Sequence, residues 1–343
     1  MQLFCKVAHL RMAVSLEEGK ELSPDVLRQL VLGQLTEPVV FHGLLQWPLL
    51  SWTWADWAER MGDSRLPFRK GRRGVTKGPQ WERQCGTEHL TLREFLRAAT
   101  EQGGDSWLYY DYKHMAELTR DHPAVVEAVS WASLGFPEKT GSDSTLWIGS
   151  TGAHTPCHAD TYGCNLVAQI MGRQQWILFP PDTLSILPTR VPYEESSIYS
   201  QRNFYSPDPS MADELQGARV VTLGPGDVLF VPRRWWHYVE NLSPAISINV
   251  WLPLEDLDDK ARLEEALVRF IVSQLCKDLP AAVHSSLLNP NEDMGTVGLG
   301  CKEDVADTPL SVTLSQLRLC LDKCSDAGGS SRAREGRAAA STV

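Results

Sequence analysis

A chain of 343 residues can bury a large core in one or two domains. Its 43% hydrophobic and 22% charged residues are those of a globular protein, and no apolar run reaches the roughly 18 residues of a membrane span. A net charge of −10 with no Lys/Arg-rich arm argues against a broad phosphate footprint, so a protein partner is favoured over RNA or DNA.

Residues 1–22 form an N-terminal segment. Met1 to Leu16 lacks the apolar core of a secretion signal, although no acidic residue precedes Glu17, as in mitochondrial leaders. Ser23-Pro24-Asp25 reads as a helix start, with Leu27, Leu30, Val31 and Leu35 at helical spacing. Glu37 to Phe41 reads as a short strand. Ser51 is the expected cap of a helix through Met61. The cluster Arg69-Lys70-Gly71-Arg72-Arg73 reads as a solvated loop. Leu90 to Ala99 reads as a helix, broken at Gly103-Gly104.

From 106 to 252 the pattern changes to short strands: Ser106–Tyr112, Ser144–Gly149, a segment around 155–160, a hairpin over Asn165–Phe179 turning at Met171-Gly172-Arg173, Val220–Val231 and His237–Trp251. A loop-rich stretch spans 182–217. Many short strands with turn punctuation predict a barrel or jelly roll. Leu254 to Leu279 reads as an amphipathic helix that either packs on the barrel or forms a homodimer contact. It opens a helical extension over 253–322, with a last helix near 310–321. The tail 323–343 is poor in apolar groups and is expected to be disordered. Eight cysteines at irregular spacing fit reduced thiols in a cytoplasmic or nuclear setting. Cys320-x3-Cys324 lacks a second ligand pair and reads as incidental.

The chemistry sits in two segments. Thr155-Pro-Cys-His158-Ala-Asp160 places His158 and Asp160 two apart, and alternate residues of a strand share one face. His237 follows 77 residues after Asp160, in the run Gly226 to His237, and so must arrive on another strand. Two imidazoles and a carboxylate leave about three positions free on a six-coordinate ion, which suits a non-haem Fe(II) site that activates oxygen. Asn165 and Asn249 fall inside predicted strands, where buried amides need partners.

These residues resemble a JmjC domain. The likeness rests on His158-x-Asp160, His237, the Gly172-x-x-x-Trp176-x-Leu178-x-Pro180-Pro181 segment and Pro225-Gly-Asp-Val-Leu-Phe-Val-Pro232. It covers roughly residues 24–280 and is similar to the hydroxylase branch. Within that branch, Thr145-Leu-Trp-Ile-Gly-Ser, Ala153-His-Thr-Pro-Cys-His and Pro192-Tyr-Glu-Glu-Ser-Ser resemble the heat-shock-protein-associated protein 1 group.

The resemblance implies a mainly β, double-stranded β-helix (a cupin-like jelly roll) with flanking helices, holding Fe(II) and 2-oxoglutarate. Oxidation of that cosubstrate to succinate and CO2 would be coupled to hydroxylation of a C–H bond, here of a protein side chain. His158, Asp160 and His237 are the implied metal ligands. Thr155, Asn165, Asn249 and Tyr109 are the implied cosubstrate contacts, with Tyr110 the alternative to Tyr109. At one position the chain departs from the pattern. Where the branch has a Lys facing the distal carboxylate of 2-oxoglutarate, this sequence has Gln174. Arg173 beside it is expected to point the other way. Gln174 keeps open a second reading, a weakly active or inactive scaffold that binds a partner such as a small heat-shock protein. A third is a cupin-like protein using another divalent metal.

Overall fold

In the computed structural model the described residues are 8–9, 23–100, 104–188, 197–211 and 217–275. The expectations for most of 1–22, for 276–343 and for the last helix and tail lie outside them. The chain forms two compact units, one of residues 1–159, 164–187 and 200–252, the other of 160–163, 188–199 and 253–343.

In the first unit, β1 (Ala8–His9) precedes α1 (Pro24–Gln29). Ser23 caps α1, its hydroxyl accepting from the Val26 N–H, and the helix winds on as a π-helical stretch over Leu30–Gln34. β2 (Val39–Phe41) follows. The cap of α2 (Trp54–Met61) is Thr53, not Ser51, which instead closes a 3-10 turn. The reason is reciprocal: the Thr53 hydroxyl accepts from the Asp56 N–H while the Asp56 carboxylate accepts from the Thr53 N–H at 2.7 Å.

The basic cluster is also not a solvated loop. It lies in β3 (Leu66–Arg72), which pairs with β4 (Gly86–Leu90) and β5 (Ser106–His114). Arg69 is 6% exposed, its Nε donating to Asp111 at 2.6 Å. β3 carries too many Arg, Lys, Gly and Pro to show strand alternation, β4 has Leu90 as its one large apolar residue, and pairing on both sides of β3 overrides that weak local preference. Gly71 is there because a Cβ would fall 2.0 Å from the Trp107 ring. Between β4 and β5 lies α3 (Leu92–Thr100), whose start is held by Thr91 and Glu94 in a second reciprocal pair.

After α4 (Pro123–Glu127) the remaining strands are β6 (Thr145–Gly149), β7 (His154–Asp160), β8 (Cys164–Met171), β9 (Gln174–Phe179), β10 (Ser197–Tyr199), β11 (Arg219–Leu223), β12 (Val228–Val231), β13 (Trp236–Asn241) and β14 (Ala245–Leu252). One sheet runs β1-β11-β9-β13-β7 and the other β2-β12-β8-β14-β6-β5-β3-β4. All these pairs are antiparallel except β1 with β11. Two antiparallel sheets of short strands are the expected jelly-roll core.

The expected hairpin over 165–179 turns where predicted but is not a paired hairpin, since β8 and β9 enter different sheets. Gly172 has a φ of +68° and packs so tightly that a Cβ would fall 2.0 Å from the Pro244 carbonyl oxygen. The turn is therefore a corner that passes the chain from sheet to sheet. Side chains from both sheets meet in the core, where Val40, Val167, Leu229 and Val231 of one contact Trp176, Leu178, Leu223 and Val239 of the other.

In the second unit α5 (Glu255–Leu275) fills the described part of the helix predicted over 254–279. Buried Asp258 anchors its start, accepting from the Leu254 and Gly163 N–H groups at 2.8 Å each. Leu257, Leu267 and Ile271 are exposed on it.

Candidate metal centre

β7 carries His158 and Asp160, and β13 carries His237 as its second residue. The ladder between them sets His237 directly opposite His158. Opposed residues of antiparallel neighbours project to the same face. One ligand atom from each of His158, Asp160 and His237 lies within 4.8 Å of the others, so the three can hold one metal ion.

The imidazoles are prepared for that use. His158 Nδ1 lies 2.9 Å from the Pro156 carbonyl oxygen, and His237 Nδ1 lies 2.9 Å from that of Trp235. A carbonyl oxygen only accepts, so each Nδ1 must carry the proton and donate. That makes Nε2 the nitrogen that carries the lone pair on each ring, the tautomer that metal-ligating histidines need. Trp176 stacks on the His237 ring at 5.5 Å and fixes it from the side.

Thr155 is three residues before His158, which in a regular strand would put it on the opposite face. The ladder pairs His237 with His158 but Val239 with Thr155, so β7 has one residue more than β13 here. This bulge at Pro156-Cys157 returns Thr155 to the face of the histidines. Pro156 has no N–H to lose at such a point. Cys157 is fully buried and its thiol is pushed well up by burial, so it is a packing residue.

A hydrogen bond joins the side chains of Thr155 and Tyr109, and burial pushes the Tyr109 hydroxyl above its usual range. Tyr110, the alternative, turns to the Phe68 ring at 5.6 Å instead. Asn165 and Asn249 meet on the facing sheet, where Asn249 Nδ2 donates to Asn165 Oδ1 at 2.8 Å while Asn249 Oδ1 accepts from Trp147 Nε1 at 2.7 Å. Gln174 is buried on β9, and Arg173, in the turn just before β9, is exposed.

Two neighbours were not found from the sequence. Trp147 completes the amide chain, and an isolated Trp in a strand gives no sign of this. Asn241 lies directly opposite Gln174, and Gln174 Nε2 donates to Asn241 Oδ1 at 2.8 Å. Its signal was available, because Asn241 is four residues after His237 on one strand and so shares its face.

The Cupin-like domain family matches residues 28–254. HSPB1-associated protein 1 of Bos taurus is 42% identical over 295 residues, covering 80% of this chain and 60% of its own length. The HSPB1-associated protein 1 homolog of Danio rerio is 44% identical over 293 residues, 80% of this chain and 64% of its own. More distantly, Lysine-specific demethylase 8 of Xenopus tropicalis is 26% identical over 225 residues, 63% of this chain and 48% of its own. The chain thus spans about 60% of the length of the HSPB1-associated proteins it matches.

Proposed function

Since this chain belongs to the cupin-like JmjC family, a family of 2-oxoglutarate oxygenases, we propose that it is an Fe(II)-dependent oxygenase of the hydroxylase type that consumes a 2-oxo acid and acts on a protein side chain. The observation that carries this reading is the prepared triad. Two histidines hold Nδ1 protonated against backbone carbonyls, and a ligand atom of each lies within 4.8 Å of one carboxylate. An accidental His-x-Asp would not fix both tautomers in the same sense.

His158, Asp160 and His237 would hold the ion. Bound Fe(II) with the 2-oxo acid would supply the oxidising power for C–H hydroxylation. The chain's own part is to position and to exclude water. The Trp176 ring and the apolar groups around Val167 and Val239 keep the interior dry. Thr155 and Tyr109 offer hydroxyls on the histidine face, and Asn165 and Asn249 offer amides from the opposite sheet.

Calorimetric titration of 2-oxoglutarate into anaerobic Fe(II)-loaded protein tests the reading. Binding that disappears on metal removal is expected. If neither 2-oxoglutarate nor related 2-oxo acids show metal-dependent binding at millimolar concentration, the oxygenase reading is wrong. A second reading, a scaffold for a small heat-shock protein, would then take its place. It draws support from Gln174 and from the names of the HSPB1-associated relatives. No helix among the described residues is long and apolar enough to cross a membrane. A cytoplasmic or nuclear setting is part of the same proposal.

A further inference from the structure

The position that faces the far end of the cosubstrate in the proposed reading holds an amide pair rather than a cation. Gln174 and Asn241 are opposed across β9 and β13, 2% and 1% exposed. They share the face of His237 and Val239. One hydrogen bond joins them, from Gln174 Nε2 to Asn241 Oδ1. Gln174 Oε1 and Asn241 Nδ2 are then left buried with no partner. Buried amide atoms without partners are uncommon in native proteins, and each one calls for a ligand or a water.

The two atoms left without a partner are one acceptor oxygen and one NH2 nitrogen. This result does not depend on how the amides are oriented. If both were turned over, Asn241 Nδ2 would donate to Gln174 Oε1, and Gln174 Nε2 and Asn241 Oδ1 would be the free pair. A carboxylate only accepts, so it would satisfy the donor and set a charged oxygen against the amide oxygen. A primary carboxamide both donates and accepts and would satisfy both.

Among the described residues, neither Arg69 nor Arg173 restores the missing charge. Asn241 Nδ2 sits over Gly149, where a Cβ would fall 2.3 Å from it and 2.9 Å from the Tyr109 ring. The cation behind Tyr109 is Arg69, and Asp111 already neutralises it through a 2.6 Å ion pair. Arg173, in the turn before β9, is exposed. The Thr155 and Tyr109 hydroxyls can donate or accept and do not bias the choice.

We infer that the Gln174–Asn241 pair selects a 2-oxo acid whose far end is a neutral primary carboxamide over one ending in a carboxylate. This rests on the oxygenase reading above, because the 2-oxo acid head must be held at the metal. Asn241 is thereby a specificity-determining residue beside Gln174.

Two probes that share the chelating oxalyl head and differ only at the far end decide it: N-oxalylglycine and N-oxalylglycinamide. Each is titrated calorimetrically into the anaerobic Fe(II)-loaded full chain. The amide is expected to bind about 10-fold tighter or more. In Gln174→Lys the order should reverse in favour of the acid, and in Gln174→Met the difference should largely vanish. Equal binding, or tighter binding of the acid by the unaltered protein, overturns the inference and leaves the oxygenase reading standing. Failure of both probes to bind overturns that reading and the inference with it. The comparison on the unaltered chain does not depend on either variant folding.

Discussion

His158 and His237 stand directly opposite one another on β7 and β13, their ring centroids 4.1 Å apart and their planes tilted by 58°. Two imidazole rings at that separation are not a strong contact in themselves. Their common tautomer gives the arrangement a use, with Asp160 as the third candidate ligand and the only carboxylate among the three. Asp160→Ala removes that charge and should reduce Fe(II) from one per chain to near zero after dialysis at micromolar metal. Fe(II) should raise the melting temperature of the unaltered protein and leave the variant's unchanged, since a ligand stabilises only the state that binds it. Iron retained at the original stoichiometry would mean that Asp160 is not a ligand.

Asn249 holds two partners at once, Asn165 and the Trp147 indole. Truncating it leaves a buried amide oxygen and a buried indole N–H unsatisfied. Asn249→Ala should therefore cost about 2–6 kcal/mol, at the rate of roughly 1–3 kcal/mol for each buried group left without a partner. Urea denaturation measures this directly. A loss below about 0.5 kcal/mol, within the range of ordinary surface substitutions, would show that water reaches the site and replaces the side chain.

The candidate metal-ligand cluster was legible in the sequence because it depends on strand alternation and on residue chemistry alone. His158 and Asp160 at i and i+2 need one assumption, that the segment is a strand. Thr155 was assigned through family likeness, and its place on the histidine face depends on the bulge at Pro156-Cys157, which spacing does not reveal. The helix start at Ser23 was readable from capping chemistry, yet Thr53 took the cap from Ser51 through its pairing with Asp56. β3 and β4 were missed because strand membership there comes from neighbours in the sheet. Which sheet β8 and β9 join was likewise hidden, because a glycine turn looks the same in a hairpin and at a corner.

That corner makes its own prediction. Gly172 combines a φ of +68° with a Pro244 carbonyl oxygen 2.0 Å from where a Cβ would lie, whereas Gly226, at +91°, has nothing within 4 Å of its Cβ position. A left-handed conformation costs an L-residue about 1–2 kcal/mol, so Gly226→Ala should lose roughly that much. Gly172→Ala adds a clash with backbone that cannot turn aside, and should lose at least about 3 kcal/mol or fail to fold, in line with other strained backbone sites. Chemical denaturation of the two variants side by side separates conformational strain from contact. Equal losses would mean that the corner relaxes freely around a new methyl group.

His154 predicts a pH dependence. It stands opposite Glu240 in the β7–β13 ladder, stacks on Tyr205 at 4.3 Å, and has its Nε2 buried without a partner. Burial pulls its pKa down to about 4, the bond to the Gly152 carbonyl opposes this, and the Arg69 charge adds to the fall. In the unfolded chain the value is about 6.5. Between those limits the unfolded state binds more protons than the folded one, so stability rises with pH across the window. The contribution is complete above about 6.5 and gone below about 4, a span on the order of 3 kcal/mol. Glu240 acts in the opposite sense, because burial raises its pKa and its contribution is lost as pH climbs. His154→Phe isolates the histidine, since Glu240 and the metal-site histidines are common to both proteins. Stability measured by urea at several pH values should show the unaltered protein gaining on the variant by about 3 kcal/mol from pH ~4 to pH ~7. Parallel curves would show that the imidazole is protonated inside the fold, with its Nε2 bonded to an acceptor or to water.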